Sequence, residues 1–218
     1  FCNREKEQRE LLDYAQNKTN VVVFSPRRFG KTSLVKRVQH QAEQDGMVTI
    51  YTDLFGLGST DDIAGRIAKS IYEKLYQHKT VFKKTVALFQ SFRPVMRPTS
   101  DGVSMSVEVV PRNISGIELL EKTMEDLGAF TATSKAPVHI VLDEFQEITE
   151  LKEPQIEGIL RKHIQEHQAS YFFVGSRRRI LLDMFTAKKR PFFQSAFLYK
   201  IDELPEYDLK GFLTDNFE

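Results

Sequence analysis

The residues best suited to chemistry lie in two short runs. One is Ser25-Pro26-Arg27-Arg28-Phe29-Gly30-Lys31-Thr32, continued by Ser33, and the other is Asp143-Glu144. The first run fills the Gly-x-x-x-x-Gly-Lys-[Ser/Thr] pattern of a phosphate-binding loop, the P-loop, at every defined position except the first glycine. Its chemistry follows from the residue types. Backbone amides at a helix N-terminus converge on an anion, and the helix dipole is positive there. Gly30 lets the chain curl without a Cβ in the way of a phosphate. Lys31 is spaced to reach the β- and γ-phosphates of a nucleotide, and the Thr32 hydroxyl to ligate magnesium. Ser25 stands where the pattern has glycine. Either the usual backbone is kept, at a strain on the order of 1 kcal/mol, or the loop is slightly reshaped and holds nucleotide less tightly.

Asp143-Glu144 ends the apolar run from His139 to Leu142. A cradled phosphate needs a carboxylate to hold magnesium through its water shell, and that is the role read for Asp143. Glu144 beside it orients and polarises an attacking water. The alternative is that Asp143 caps the following helix while Glu144 is merely solvated. A single acid suits a kinase or a GTPase, whereas the adjacent pair points to a water-activating ATPase.

Chemistry in a parallel sheet gathers beyond the carboxyl ends of its strands. That draws in Asp53 and Ser176; Ser176 either contacts the γ-phosphate or the water, or forms a plain turn with Gly175. Arg177, Arg178, Arg179, Lys188, Lys189 and Arg190 form a basic stretch broken by Asp183 alone. It admits three readings: an arginine finger offered to a neighbouring subunit, contacts to nucleic-acid phosphates, or a solvated face. His163 and His167 are spaced one helical turn apart, but no third ligand is placed to complete a metal site. Both are read as surface helix histidines.

These groups need a scaffold, and the apolar pattern supplies one. Val21-Val22-Val23-Phe24 reads as a strand buried on both faces, followed by a helix carrying Leu34, Val35, Val38 and Ala42. A helix over 4–17, with Leu11, Leu12 and Ala15 inward, precedes them. Further strands are predicted over 47–54, 138–142, 171–174 and 197–201. Helices are predicted around Ile63, Ile67, Ile71 and Leu75 (N-capped within Ser59-Thr60-Asp61), around Ile117, Leu120, Met124 and Leu127, around Ile156, Ile159, Leu160 and Ile164, and over 180–185. Alternating strands and helices imply an α/β fold with a parallel sheet. Residues 78–112 break the rhythm and are read as an insertion, a helix over 81–92 and a hairpin over 97–110 around Ser100-Asp101-Gly102. The core then spans 1–203, and 204–218 opens a helical lid that the chain does not finish.

Composition narrows the function classes. With 218 residues, 41% of them hydrophobic and 28% charged, the chain is an ordinary globular one and not a disordered one. No stretch approaches the roughly 18 apolar residues of a membrane helix, so no membrane partner is expected. Cys2 is the single cysteine, which excludes an internal disulfide and fits a reducing cytoplasm. A net charge of +1 argues neither for nor against nucleic acid.

Three runs together carry a family likeness: Phe1-Cys2-Asn3-Arg4-Glu5-Lys6-Glu7, the loop extended through Leu34, and Val141-Leu142-Asp143-Glu144-Phe145-Gln146-Glu147. They resemble the archaeal-type ATPase family, in the STAND branch of the AAA+ superfamily. Arg27-Arg28 and the Phe145-Gln146-Glu147 tail are its most diagnostic elements, and the likeness extends from Phe1 to Leu204-Pro205. It implies a three-layer P-loop fold with a five-stranded parallel sheet in the order 5-1-4-3-2, followed by a helical lid. It also implies that Phe1, Asn3 and Arg4 lie near the adenine, with Pro205 opposite, and that Ser25 replaces a glycine. ATP or ADP with Mg²⁺ are the implied cofactors, and self-association or a protein effector the implied partnership. The leading expectation is a magnesium-dependent ATPase acting as a nucleotide-driven switch. Its rivals are a phosphotransferase that uses the insertion as acceptor pocket, and a low-turnover nucleotide-sensing scaffold associated with DNA.

Overall fold

A computed structural model of the chain describes residues 4–76, 86–99, 102–110 and 113–203, together with residue 214. Phe1, Asn3, Pro205 and most of the expected lid lie outside the described residues, as does much of the helix expected over 81–92.

Strand β1 (Val21–Phe24) is buried along its whole length and sits between two parallel neighbours, β6 (Ala169–Gly175) and β7 (Phe197–Lys200). β5 (Val138–Asp143) follows β6, and β2 (Val48–Asp53) forms the far edge, giving the order β2-β5-β6-β1-β7. With only the sheet strands numbered in chain order, this is 5-1-4-3-2, the order implied by the sequence. The remaining pair, β3 (Phe92–Thr99) and β4 (Gly102–Val109), is a separate antiparallel hairpin.

Alternation along the buried strands divides the core into two faces. Val21, Val23, Val141, Phe172 and Val174 pack with Leu11 and Ala15 of α1 (Glu5–Gln16) and with Leu34, Val35, Val38 and Ala42 of α2 (Lys31–Gln44). The intervening residues Val22, Phe24, Ile140, Leu142 and Phe173 face the other layer. There they meet α3 (Thr60–Leu75), α4 (Gly116–Thr133), a 3₁₀ turn (Phe145–Leu151), α5 (Gln155–Ile164) and α6 (Arg178–Thr186). Each fully buried Val, Leu, Ile or Phe contributes roughly 1.5–3 kcal/mol of hydrophobic stabilisation, so both layers clamp the strands whose ends carry the acids and the loop. The Ser59 hydroxyl caps α3 by accepting from Asp62 N at 3.3 Å. Leu12 and Ile117 are only partly buried at the cluster margins.

The hairpin differs from its expected bounds. It begins at Phe92, and its two-residue connection falls between Thr99 and Gly102. Pro94 and Pro98, which argue against a strand, pair with Val107 and Val103. Being four apart, they present their missing N–H groups on the same edge, where a two-stranded ribbon has no further partner. Tyr72 of α3 donates to the Phe89 and Phe92 carbonyls at 3.1 and 3.3 Å, fixing the hairpin base.

Candidate active site

The segment from Ser25 to Gly30 links β1 to α2 and turns back on itself. Arg28 (φ 68°) and Gly30 (φ 80°) adopt left-handed backbone, whereas Ser25 does not. The strain of a glycine-like backbone is thus absent at Ser25, whereas a left-handed backbone at the non-glycine Arg28 costs about 1–3 kcal/mol. Ser25 is fully buried, with its carbonyl accepting from Lys31 Nζ at 2.9 Å and its hydroxyl accepting at 3.3 Å. The Pro26 carbonyl accepts from the same ammonium at 2.8 Å. Burial pulls the Lys31 pKa below its ordinary value; the Glu144 and Asp143 carboxylates oppose that shift, and Arg27 adds to it.

Asp143, the last residue of β5, meets Thr32 at the first turn of α2. Thr32 Oγ1 donates to Asp143 Oδ2 at 2.8 Å, and Tyr51 Oη donates to the same oxygen at 2.6 Å. Asp143 Oδ1 accepts the Glu144 amide at 2.8 Å, so part of this carboxylate does shape the local turn. Burial and the nearby Asp143 raise the Tyr51 pKa far above its ordinary value, which keeps the phenol protonated as a donor. Glu144 itself takes a left-handed conformation, φ 51°, before the 3₁₀ turn. Its Oε2 accepts from Ser176 Oγ at 3.0 Å and from Gln146 Nε2.

Lys31, Thr32, Glu144 and Ser176 line a cavity of about 310 Å³ together with Arg27, Arg28, Gly30, Ser33 and Phe55; Asp143, Tyr51 and Gln146 are not among its lining residues. Ser25, Pro26 and Phe29 form the back of the loop and give it shape through their carbonyls. Asp53 turns away to accept the Phe55 amide at 2.9 Å. The loop holding Phe55 over the cavity is pinned by Arg66, which donates to the carbonyls of Asp53, Phe55 and Gly56. Arg4 is buried and bridges three elements. It pairs with Glu7 at 2.9 Å, donates to the Asp202 carbonyl beyond β7 at 2.8 Å, and reaches the Phe29 carbonyl of the loop at 3.4 Å.

Other sequence candidates are not brought to the site. Arg177 pairs with Glu150 and Glu147, and Arg190 with Glu157 and Asp183. Arg178, Arg179, Lys188 and Lys189 have no carboxylate partner among the described residues, and Arg178 lies over the Phe24 ring at 5.6 Å. His163 and His167 are not surface helix residues. His163 is buried on the apolar stripe of α5, and His167 lies past the helix end, against Tyr171 Oη at 2.5 Å and the Met124 carbonyl at 3.0 Å. No cluster of metal-ligating side chains with three members occurs among the described residues.

Three contributors escaped the sequence reading: Tyr51, Phe55 and Gln146. Tyr51 shares its strand face with Asp53, which pairs with Asp143, but that matters only once β2 is known to lie beside β5. Gln146 was visible only as part of a motif tail. Nothing in the local pattern marks Phe55.

No protein-family model matches this chain, and no curated protein sequence matches it. Solved structures do. The chain is similar to the Aeropyrum pernix ORC2 protein solved with ADPNP and ADP (TM-score 0.57, 16% identity, covering 98% of this chain and 51% of that one). It is also similar to the Aeropyrum pernix ORC1 protein in complex with DNA (TM-score 0.58, 16% identity, 99% and 49%). A third is Cdc6p from Pyrobaculum aerophilum (TM-score 0.54, 12% identity, 98% and 48%). The chain spans about half the length of these proteins. Its three-layer α/β fold, with five parallel strands, is theirs. No described helix is long and apolar enough to cross a membrane.

Proposed function

We propose that this chain, built on the fold of the ORC and Cdc6 proteins, binds ATP with magnesium in the loop cavity, hydrolyses it, and acts as a nucleotide-driven switch. The observation that carries the reading is convergence: Lys31, Thr32 and Glu144 line one cavity beyond the strand ends, and the Thr32 hydroxyl on its wall holds Asp143. One of the structural neighbours was solved with ADP and an ATP analogue, which agrees with a nucleotide as occupant.

The residues fit a magnesium ion. Thr32 and Asp143 supply a hydroxyl and a carboxylate oxygen 2.8 Å apart, and magnesium favours an oxygen-only donor set completed by water and phosphate. When bound, the ion would neutralise charge on the phosphate oxygens. The chain's own residues do the rest. Lys31 and the amides at the start of α2 hold the β- and γ-phosphates in place of the Ser25 and Pro26 carbonyls. Glu144 accepts a proton from water as the water oxygen attacks the γ-phosphorus, and the bond to the bridging oxygen breaks to release ADP. Arg27 and Arg28, exposed on the cavity wall, add positive charge at the mouth.

Arg4 supports the switch reading, because it joins the loop to the chain leaving β7. A loop that moves with nucleotide would carry that exit with it. Phe1, Asn3 and Arg4 on one side and Pro205 on the other remain the residues we assign to the adenine. Self-association or a protein effector is the partnership such a switch serves, in a cytoplasmic setting.

The phosphotransferase reading has less behind it, since no described residue of the hairpin lines the cavity. A DNA-associated role retains one specific support, the uncompensated Arg178, Arg179, Lys188 and Lys189. Calorimetric titration of ATP and ADP, with and without magnesium, followed by phosphate release without any added acceptor, tests the proposal. Magnesium-dependent binding with release of free phosphate is expected, and binding with no release in the absence of an acceptor would favour transfer over hydrolysis.

A further inference from the structure

Glu144 is held at only one of its two oxygens. Ser176 Oγ and Gln146 Nε2 both donate to Oε2, and Oε1 accepts from no group among the described residues. The Gln146 side chain that makes one of these contacts is itself fully buried, and its own Oε1 has no hydrogen-bond partner. Leaving a buried amide oxygen without a donor is unfavourable. Turning the amide over would be worse, because it would set that oxygen against the Glu144 carboxylate. Gln146 therefore gives up one hydrogen bond to make the other.

The neighbouring strand makes room for it. A Cβ on Gly175 would lie 2.0 Å from Gln146 Oε1 and 3.2 Å from its Cδ. The glycine at the end of β6 leaves the space that this amide occupies, and its backbone φ is not in the left-handed region. Gly175, Ser176 and Gln146 thus form a small device directed at a single carboxylate oxygen.

We infer that Gln146 is a positioning residue for hydrolysis. Together with Ser176 it fixes Glu144 Oε2, so that Oε1 is the oxygen left to take the proton of the attacking water. This rests on reading Glu144 as the proton acceptor. Gln146 is fully buried and is not among the residues lining the cavity; it acts through Glu144.

The test is steady-state ATP hydrolysis by the full chain carrying Gln146→Met, beside the wild type and Glu144→Gln. Methionine matches glutamine in length and volume and removes both the donor and the orphaned acceptor, so the melting temperature should hold or rise. Turnover should fall about ten- to hundredfold, the worth of one hydrogen bond to a charged group, with KM for ATP changed by less than about twofold. If Gln146→Met does not fold, Gly175→Ala replaces it: the new methyl displaces the amide, and the same loss of turnover is expected. Wild-type turnover in the variant, with Glu144→Gln inactive, overturns the inference alone. So does a fall in turnover matched by an equal loss of ATP affinity or of melting temperature. Normal turnover by Glu144→Gln, or none by the wild type, instead removes the reading of Glu144 and this inference with it.

Discussion

Replacing Glu144 by Gln separates chemistry from binding, and the local structure sets the size of each effect. The carboxylate accepts two hydrogen bonds at Oε2, from Ser176 and Gln146. A glutamine keeps both only if its carbonyl takes that place, which turns its NH₂ toward the cavity as a donor. The proton acceptor is then gone. General-base catalysis is worth about 10²–10⁴ in rate, or roughly 2.7–5.4 kcal/mol at 1.36 kcal/mol per tenfold. The two retained hydrogen bonds change from charge-assisted to neutral, each losing about 1 kcal/mol. For a chain of this size that lowers the melting temperature by about 4–8 °C in total. Lys31, Thr32 and Asp143 are untouched, so ATP affinity should stay within about threefold of wild type, less than 1 kcal/mol. Phosphate release measured with a coupled assay, alongside calorimetric ATP binding, reads both quantities. Hydrolysis at the wild-type rate with binding intact would refute the assignment of Glu144.

Lys31→Ala removes an ammonium that now bonds Ser25 and Pro26; at about 1.5–3 kcal/mol for each charge-assisted phosphate contact, ATP binding should become undetectable by calorimetry. Tyr51→Phe deletes one of two donors to Asp143 Oδ2, and chemical denaturation should show a loss of about 1.5–3 kcal/mol with the fold retained. His139 supplies a pH prediction: fully buried, with Nδ1 on Ser170 Oγ at 2.9 Å, it is pulled down by burial from 6.5 to about 3. The unfolded chain binds the proton first, so this contribution is complete above pH 6.5 and is lost as pH falls toward 3, at about 1.4 kcal/mol per pH unit. Urea unfolding at pH 7 and pH 5 should show His139→Gln losing about 2 kcal/mol less than wild type over that interval.

The core was legible because its strands are short, apolar and buried on both faces. Val21–Phe24 reads as a central strand, and the lysine-threonine pair at the head of the next helix marked the end of the sheet where the cavity lies. Asp143 and Glu144 followed from their place at the end of another such strand. What stayed hidden depends on neighbours that local patterns do not specify. Tyr51 becomes an Asp143 partner only through the β2–β5 register, and Gln146 matters only because β6 ends in a glycine that admits its amide. The prolines at 94 and 98 masked half of a hairpin, since their effect depends on which edge faces a partner. His163 was misplaced although the signal was present: it falls four residues after Ile159 and seven after Ile156, on the apolar stripe of α5.

The central arrangement is a triphosphate held by Lys31 and the loop amides with a metal ion at Thr32 and Asp143. A crystal structure with magnesium and a non-hydrolysable ATP analogue tests it directly. The β- and γ-phosphates should sit within hydrogen-bond distance of Lys31 Nζ, with the ion between the Thr32 hydroxyl and Asp143. A nucleotide bound elsewhere, with Lys31 still holding the Ser25 and Pro26 carbonyls, would contradict it.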